Sequence, residues 1–320
     1  MPELPTILLT NSMHADGEAI LKPHANLITA PDTKPETLRA WAKEADGIIV
    51  RAKLPDDIVD HAPRLKGMVR HGVGLDFIPV DTATARGIAV ANLPGSNTSA
   101  VAEYIMSALL HLRRPIHVMN ALLRDRGWSA ARATTDSFTE LNGATLGILG
   151  VGTIGRRVAQ IAKHGFCMKV IGTSRRKGAL PADVEEVSLD QLFARSNALV
   201  ICCSLTNETR GLVNAARIAQ MKPDAVLINV SRGAVVENAP LIAALKTGKL
   251  GGAALDVFDI QPLPADDALF DCPNLLLTPH AAALTASSSR GMAVGAAEEM
   301  LRILRGEQPR NLVNPGHKAA

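Results

Sequence analysis

The stretch TLGILGVGTIGRRVAQI, residues 145–161, restricts the fold more than any other part of the chain. A β-branched and aliphatic run meets Gly150, Gly152 and Gly155, then passes directly into a pattern with Ile154, Val158 and Ile161 on one helical face. Such a sequence requires a strand, a tight turn and a helix in immediate succession. The first glycine permits the turn, the second lets a pyrophosphate approach the backbone, and the third lets the helix pack on the strand. The helix start at Thr153 and Ile154 offers unpaired N–H groups and the positive end of a dipole to phosphate. Glycines reach this spacing by chance in many chains. Here the strand before and the helix after identify a dinucleotide-binding turn.

The cofactor's ribose is read further on. Ser174 lies 19 residues beyond Gly155 (174 − 155), where an NAD-binding chain places an acid. A carboxylate there would accept from the ribose 2′-hydroxyl and repel a 2′-phosphate. Ser174, Arg175 and Arg176 bring instead a hydroxyl and two guanidinium groups, which suit a phosphate dianion. The competing reading is a solvated basic turn. Position favours the phosphate, so NADP(H) is the expected cofactor, with NAD(H) as the alternative.

The rest of the chain alternates strand and helix patterns. TILLT, NLITA, DGIIVRA, LKGMVRHG and GIAVAN form a first series of strands, with PETLRAWAKEA as a helix among them. SNTSAVAEYIMSALLHLRRP reads as an apolar helix running to Pro115, and ATLGILG, KVIGTS, ALVICC, AVLINV, GGAALDVF and NLLLTPH form a second series. RGMAVGAAEEMLRILRG closes as a helix with Gly306 as its stop. Alternation of this kind predicts an α/β chain with parallel sheets covered by helices, and 320 residues suffice for two such cores.

Composition excludes several partners. A net charge of +3 and an aromatic content of 3% supply neither the field nor the stacking platforms of a nucleic-acid binder. No apolar run is long enough to span a bilayer. Cys167, Cys202, Cys203 and Cys272 form no C-x-x-C pair and no metal-ligand set with the histidines, so no metal is expected. Adjacent Cys202 and Cys203 would point to opposite faces of a strand as small core residues. A reducing cytoplasm is the expected location.

Several ordered motifs carry a resemblance over nearly the whole chain: HGVGLD (71–76), ELNGATLGILGVGTIG, INVSRGAVVE (228–237), GGAALDVF (251–258) and LLLTPH (275–280). In this order the chain resembles the D-2-hydroxyacid dehydrogenase family, specifically its glyoxylate/hydroxypyruvate reductase members. The resemblance implies two Rossmann-like or flavodoxin-like domains. The cofactor domain, placed at 100–285, is inserted into a substrate domain formed by both chain ends, 1–99 and 286–320. It also implies a homodimer and an active site in the cleft.

The same resemblance assigns the site. Arg232 matches the arginine that holds the substrate's carboxylate and carbonyl oxygen, for which a planar guanidinium fork is suited. His280 matches the acid/base, a role an imidazole fills near neutral pH. Asp256 matches the residue that meets the nicotinamide amide, and Val73 and Gly74 match a loop whose backbone N–H groups bind the substrate carboxylate. Family members normally carry a glutamate beside the histidine. This chain has DVFDIQP, so Gln261 stands in its place and can orient the ring without bringing charge. Arg51 and Lys53, in IIVRAKLP, fall where phosphate-handling members use basic residues; they either meet a distal anionic group or sit on the surface beside PDD.

The expected function is NADPH-dependent reduction of glyoxylate or hydroxypyruvate to the D-2-hydroxy acid. A dehydrogenase for a larger anionic acid, 3-phosphoglycerate or sulfolactate, is the alternative within the class. A dinucleotide-binding sensor resembling a corepressor is the alternative outside it.

Overall fold

The computed structural model describes residues 3–174 and 178–319. The chain divides into two compact units, Met1–Asn97 with Leu284–Ala320, and Thr98–Ala283. All pairings between the described strands are parallel.

The first unit is built on β1 (Thr6–Leu9), β2 (Asn26–Thr29), β3 (Gly47–Val50), β4 (Gly67–Arg70) and β5 (Ala89–Ala91), connected by α1 (Ala15–Leu21), α2 (Pro35–Ala42) and α3 (Val80–Ala85). The sheet order is β2-β1-β3-β4-β5. Strands buried on both faces need apolar residues in continuous runs. Ile7, Leu9, Ile49 and Val69 accordingly join one core layer, and Leu8, Ile48, Val50 and Met68 join the other. The strand order reverses between β1 and β3.

The second unit opens with α4 (Thr98–Arg113) and α5 (Ile116–Arg132). Then follow β6 (Thr145–Leu149), α6 (Thr153–Phe166), β7 (Lys169–Thr173), β8 (Glu185–Glu186), α7 (Leu189–Arg195), β9 (Ala198–Ile201), α8 (Ala215–Gln220), β10 (Val226–Asn229), α9 (Asn238–Lys246), β11 (Gly252–Leu255) and β12 (Leu275–Leu277). Its sheet runs β12-β11-β10-β9-β6-β7-β8, reversing between β6 and β9. Leu146, Ile148 and Val200 pack beneath α4 and α6, while Leu149, Leu199 and Ile201 pack on the opposite face. Cys202 joins the first layer and Cys203 the second, as expected of neighbours continuing a strand. Burial, with Cys203 alongside, pushes the Cys202 thiol up to about 12, which leaves it a core residue without thiolate chemistry. The chain then returns to the first unit through α10 (Ala286–Leu304), which Thr285 caps through a reciprocal hydrogen-bond pair with Ser288.

Two elements differ from the sequence expectation. α5 resumes directly after Pro115, because a proline that ends one helix also serves as the N-cap of the next. β8 is a two-residue edge strand, too short to leave a periodic pattern. Among the described residues no helix is long and apolar enough to cross a membrane.

Candidate active site

Each glycine of the 150–155 turn meets a different constraint. Gly150 has φ +96°, and a Cβ there would lie 2.5 Å from the Cys203 nitrogen and 2.6 Å from its Cα. The turn after β6 is therefore pressed against the end of β9, at the point where the strand order reverses and α/β sheets bind ligands. A Cβ on Gly155 would lie 2.6 Å from the Gly150 carbonyl oxygen, which explains how closely α6 approaches its strand. Gly152 is the opposite case: a Cβ there meets nothing within 4 Å. It is the N-cap of α6, without a side-chain cap and with no acid in the first helical turn. An exposed, uncapped helix start of this kind is suited to a pyrophosphate. Ser174 is half-buried just beyond β7; Arg175 and Arg176 lie outside the described residues.

Three neighbouring strands of the same sheet, β10, β11 and β12, deliver Arg232, Asp256 and His280 from their carboxyl ends. His280 is left-handed, with φ +53°. Its N–H donates to the Asp256 carbonyl oxygen at 2.8 Å and to that of Thr278 at 2.9 Å. The next two amides, Ala281 and Ala282, donate to the Asp256 carboxylate at 2.7 and 3.0 Å. Asp256 is buried and so fixes the histidine's turn from beneath.

The ring is fixed from its other side. His280 Nδ1 lies 2.9 Å from Gln261 Oε1, and Gln261 Nε2 donates to the Phe258 carbonyl oxygen at 3.1 Å. An amide oxygen only accepts, so Nδ1 carries the hydrogen and, in the neutral ring, the lone pair is on Nε2. Gln261 thus sets the tautomer without supplying charge.

Arg232 is held by a local network that its residue type alone does not reveal. Buried Asn229 donates to the Arg232 carbonyl oxygen at 2.9 Å and accepts from the Ser231 N–H at 3.0 Å. The Ser231 hydroxyl donates to the Cys203 carbonyl oxygen, and Arg232 Nη1 donates to the Ser231 carbonyl oxygen at 2.7 Å. A Cβ on Gly233 would lie 2.1 Å from the Phe258 carbonyl carbon. Only glycine lets the arginine turn pack against the segment that leads to Gln261.

In the first unit, the HGVGLD loop follows β4. Its carbonyls are pinned in series: Leu93 N–H donates to Gly72 O at 2.9 Å, Asn92 Nδ2 to Val73 O at 2.8 Å, and Arg70 Nε to Gly74 O at 3.1 Å. Among the described residues no protein group engages the N–H of Val73 or Gly74. With the carbonyls turned inward, these two amides are the groups available to an anion.

Arg51 stands at the reversal between β1 and β3, where Thr10 Oγ1 accepts its backbone N–H at 2.8 Å. Its guanidinium donates to the Ser12 carbonyl oxygen, and burial holds its pKa below the usual arginine range. Lys53 is exposed. Beside them, His71 is buried, and its Nε2 has no hydrogen-bond partner among the described residues. Burial, and then the charges of Arg51 and Arg70, lower its pKa to about 4.

The family model for the D-isomer specific 2-hydroxyacid dehydrogenase, NAD binding domain, matches residues 106–282. This chain belongs to the D-isomer specific 2-hydroxyacid dehydrogenases. It is an oxidoreductase of the kind that binds a nicotinamide dinucleotide. A glyoxylate reductase from Aeropyrum pernix is 36% identical over 322 residues, covering 97% of this chain and 96% of that protein. A D-3-phosphoglycerate dehydrogenase from Methanocaldococcus jannaschii is 35% identical over 314 residues, 96% of this chain but 59% of its own length. Among solved structures, an NADPH-dependent glyoxylate/hydroxypyruvate reductase from Sinorhizobium meliloti, in complex with NADP and malonate, matches with a TM-score of 0.85. It is 27% identical, with 98% of this chain and 97% of that one covered.

Some groups around these candidate residues do not stand out in the sequence. Asn229 and Gly233 flank Arg232 within INVSRGAVVE, and a glycine directly after the arginine is a readable sign of close packing. His71, in HGVGLD, reads as one polar residue among several until its burial is known. Tyr104 and Thr278 are 174 residues apart and leave no local pattern.

Proposed function

We propose that this dehydrogenase reduces a small 2-keto acid, glyoxylate or hydroxypyruvate, to the D-2-hydroxy acid with NADPH. The 2.9 Å hydrogen bond between His280 Nδ1 and Gln261 Oε1 carries this reading, because it aligns an acid/base ring at the end of β12. When bound, the reduced nicotinamide supplies the hydride. Arg232 holds the substrate's carboxylate and carbonyl oxygen, and the amides of Val73 and Gly74 bind the carboxylate. His280 gives its Nε2 proton to the carbonyl oxygen as that oxygen becomes an alkoxide, and takes one back in the oxidative direction. Gly150, Gly152, Gly155 and the first residues of α6 bind the pyrophosphate, while Asp256 faces the nicotinamide amide. Ser174, Arg175 and Arg176 select the 2′-phosphate.

The test follows NADPH and NADH oxidation with glyoxylate, hydroxypyruvate, pyruvate and phosphohydroxypyruvate. The expected result is turnover of the small acids, with NADPH favoured over NADH by about tenfold or more through the charge-assisted bonds to phosphate. Preference for phosphohydroxypyruvate would assign Arg51 and Lys53 to a distal phosphate and replace the reading with the larger-substrate one. Tight dinucleotide binding without turnover of any acid would point to a sensor.

Gln261 makes a second outcome specific. Reduction needs the His280 imidazolium, and a carboxylate at Nδ1 would stabilise it where an amide does not. In Gln261→Glu the alkaline fall of reductase kcat/KM should therefore move upward by about one pH unit. An unmoved profile would remove the amide as the cause of the wild-type fall.

The protein is further proposed to be a homodimer. On either side of non-helical Gly127 (φ +78°), α5 exposes Ile116 (66%) and Trp128 (70%), apolar side chains that a second copy would cover. Sedimentation equilibrium should give twice the chain mass. The four cysteines are free thiols, which supports a reducing, cytoplasmic setting.

A further inference from the structure

Tyr104, on α4, is the single tyrosine of the chain. Its phenol oxygen lies 2.6 Å from Thr278 Oγ1, and Thr278 Oγ1 lies 2.7 Å from Asp256 Oδ1. These distances fix a direction. A carboxylate only accepts, so Thr278 commits its one hydroxyl hydrogen to Asp256 and must accept from Tyr104. Burial, above all, raises the Tyr104 pKa and keeps the phenol a donor. The result is a polarised chain, Tyr104 O–H to Thr278 O–H to the Asp256 carboxylate, in which each bond strengthens the next.

The chain ends on the residue that organises the catalytic turn. Asp256 Oδ1 accepts from Thr278 and from the Ala281 N–H, Oδ2 accepts from the Ala282 N–H, and the main-chain carbonyl accepts from the His280 N–H. Two amides already satisfy much of this buried carboxylate. The two hydroxyls add a third bond, which sets the plane of the group and leaves its remaining acceptor capacity on Oδ2.

We propose that Tyr104 and Thr278 are positioning residues of the active site: through Asp256 they orient Oδ2 as an acceptor for the N–H of the cofactor's carboxamide and steady the turn that presents His280. The proposal rests on the reading of Asp256 and His280 given above.

It is tested first by binding. Affinities for the oxidised dinucleotide are compared with those for its 3-acetylpyridine analogue, which lacks the carboxamide N–H, in wild type, Thr278→Val, Thr278→Ser and Tyr104→Phe. Wild type should favour the natural cofactor by roughly ten- to a hundredfold, as for one hydrogen bond to a charged group. Thr278→Val should bring that ratio close to one, Thr278→Ser should restore it, and Tyr104→Phe should roughly halve it. In turnover, Thr278→Val should lose about tenfold in kcat while KM for the keto acid stays within about threefold. A wild type without discrimination overturns the reading of Asp256 itself and the proposal with it. Discrimination in wild type that survives in Thr278→Val, at an unchanged melting temperature, overturns the relay alone. Should Thr278→Val fail to fold, Tyr104→Phe decides: a ratio equal to that of wild type refutes the relay.

Discussion

Replacing His280 with asparagine should lower kcat for keto-acid reduction by roughly 10²- to 10⁴-fold, the range for removal of a general acid, with dinucleotide affinity unchanged within about threefold. Asparagine is the informative choice because His280 occupies the left-handed region at φ +53°, which asparagine tolerates better than most residues. The grip of Asp256 on the backbone amides of residues 280–282 does not depend on the ring, so the turn is retained. What disappears is the ring that Gln261 aligns and that is proposed as the proton donor. Steady-state kinetics checks the rate, and fluorescence titration with dinucleotide checks the site. A loss below about tenfold would mean that the proton comes from elsewhere.

The second large effect concerns stability. His71 has a folded pKa of about 4, against about 6.5 for an unperturbed histidine. The unfolded chain therefore binds this proton at higher pH than the folded chain does. The contribution is fully present above about pH 6.5 and is lost as pH falls through 4. Over that window the linkage amounts to about 3 kcal/mol, close to a hundredfold change in the folding equilibrium. Its cause is burial first, and then the guanidinium charges of Arg51 and Arg70. In His71→Phe the difference in stability between pH 7 and pH 4 should shrink by that amount, since effects of the other titrating groups are common to both proteins. Hydrogen exchange at Met68 and Val69 in β4 reads the first unit by itself. An equal pH dependence in wild type and variant would show that His71 is not the group responsible.

Both effects arise at positions that the sequence marked unequally. His280 was legible because the motifs up to LLLTPH occur in family order and the apolar run of β12 ends at it. His71 was legible only as part of a glycine-rich loop. Its pKa follows from burial at the carboxyl ends of neighbouring strands β3 and β4, shared with Arg51, which is 20 residues away (71 − 51). The Val73 and Gly74 amides show the same division. Two glycines announced a close approach, whereas the pinning of the carbonyls needed Arg70 at the end of β4 and the Asn92–Leu93 segment after β5. α5 was missed because Pro115 reads locally as a stop, although it caps the helix that follows.

By itself the sequence determined both parallel sheets and the strand–turn–helix at Gly150–Gly155, and it nominated Arg232 and His280, because strand periodicity, glycine spacing and motif order are local and additive along the chain. The tertiary structure alone decided how those groups are held. The Tyr104–Thr278–Asp256 chain and the close packing of Gly233 on Phe258 each depend on hydrogen bonds or contacts shorter than 4 Å between residues distant in sequence. Such geometry follows from how the carboxyl ends of neighbouring parallel strands converge, and one-dimensional spacing carries no record of it.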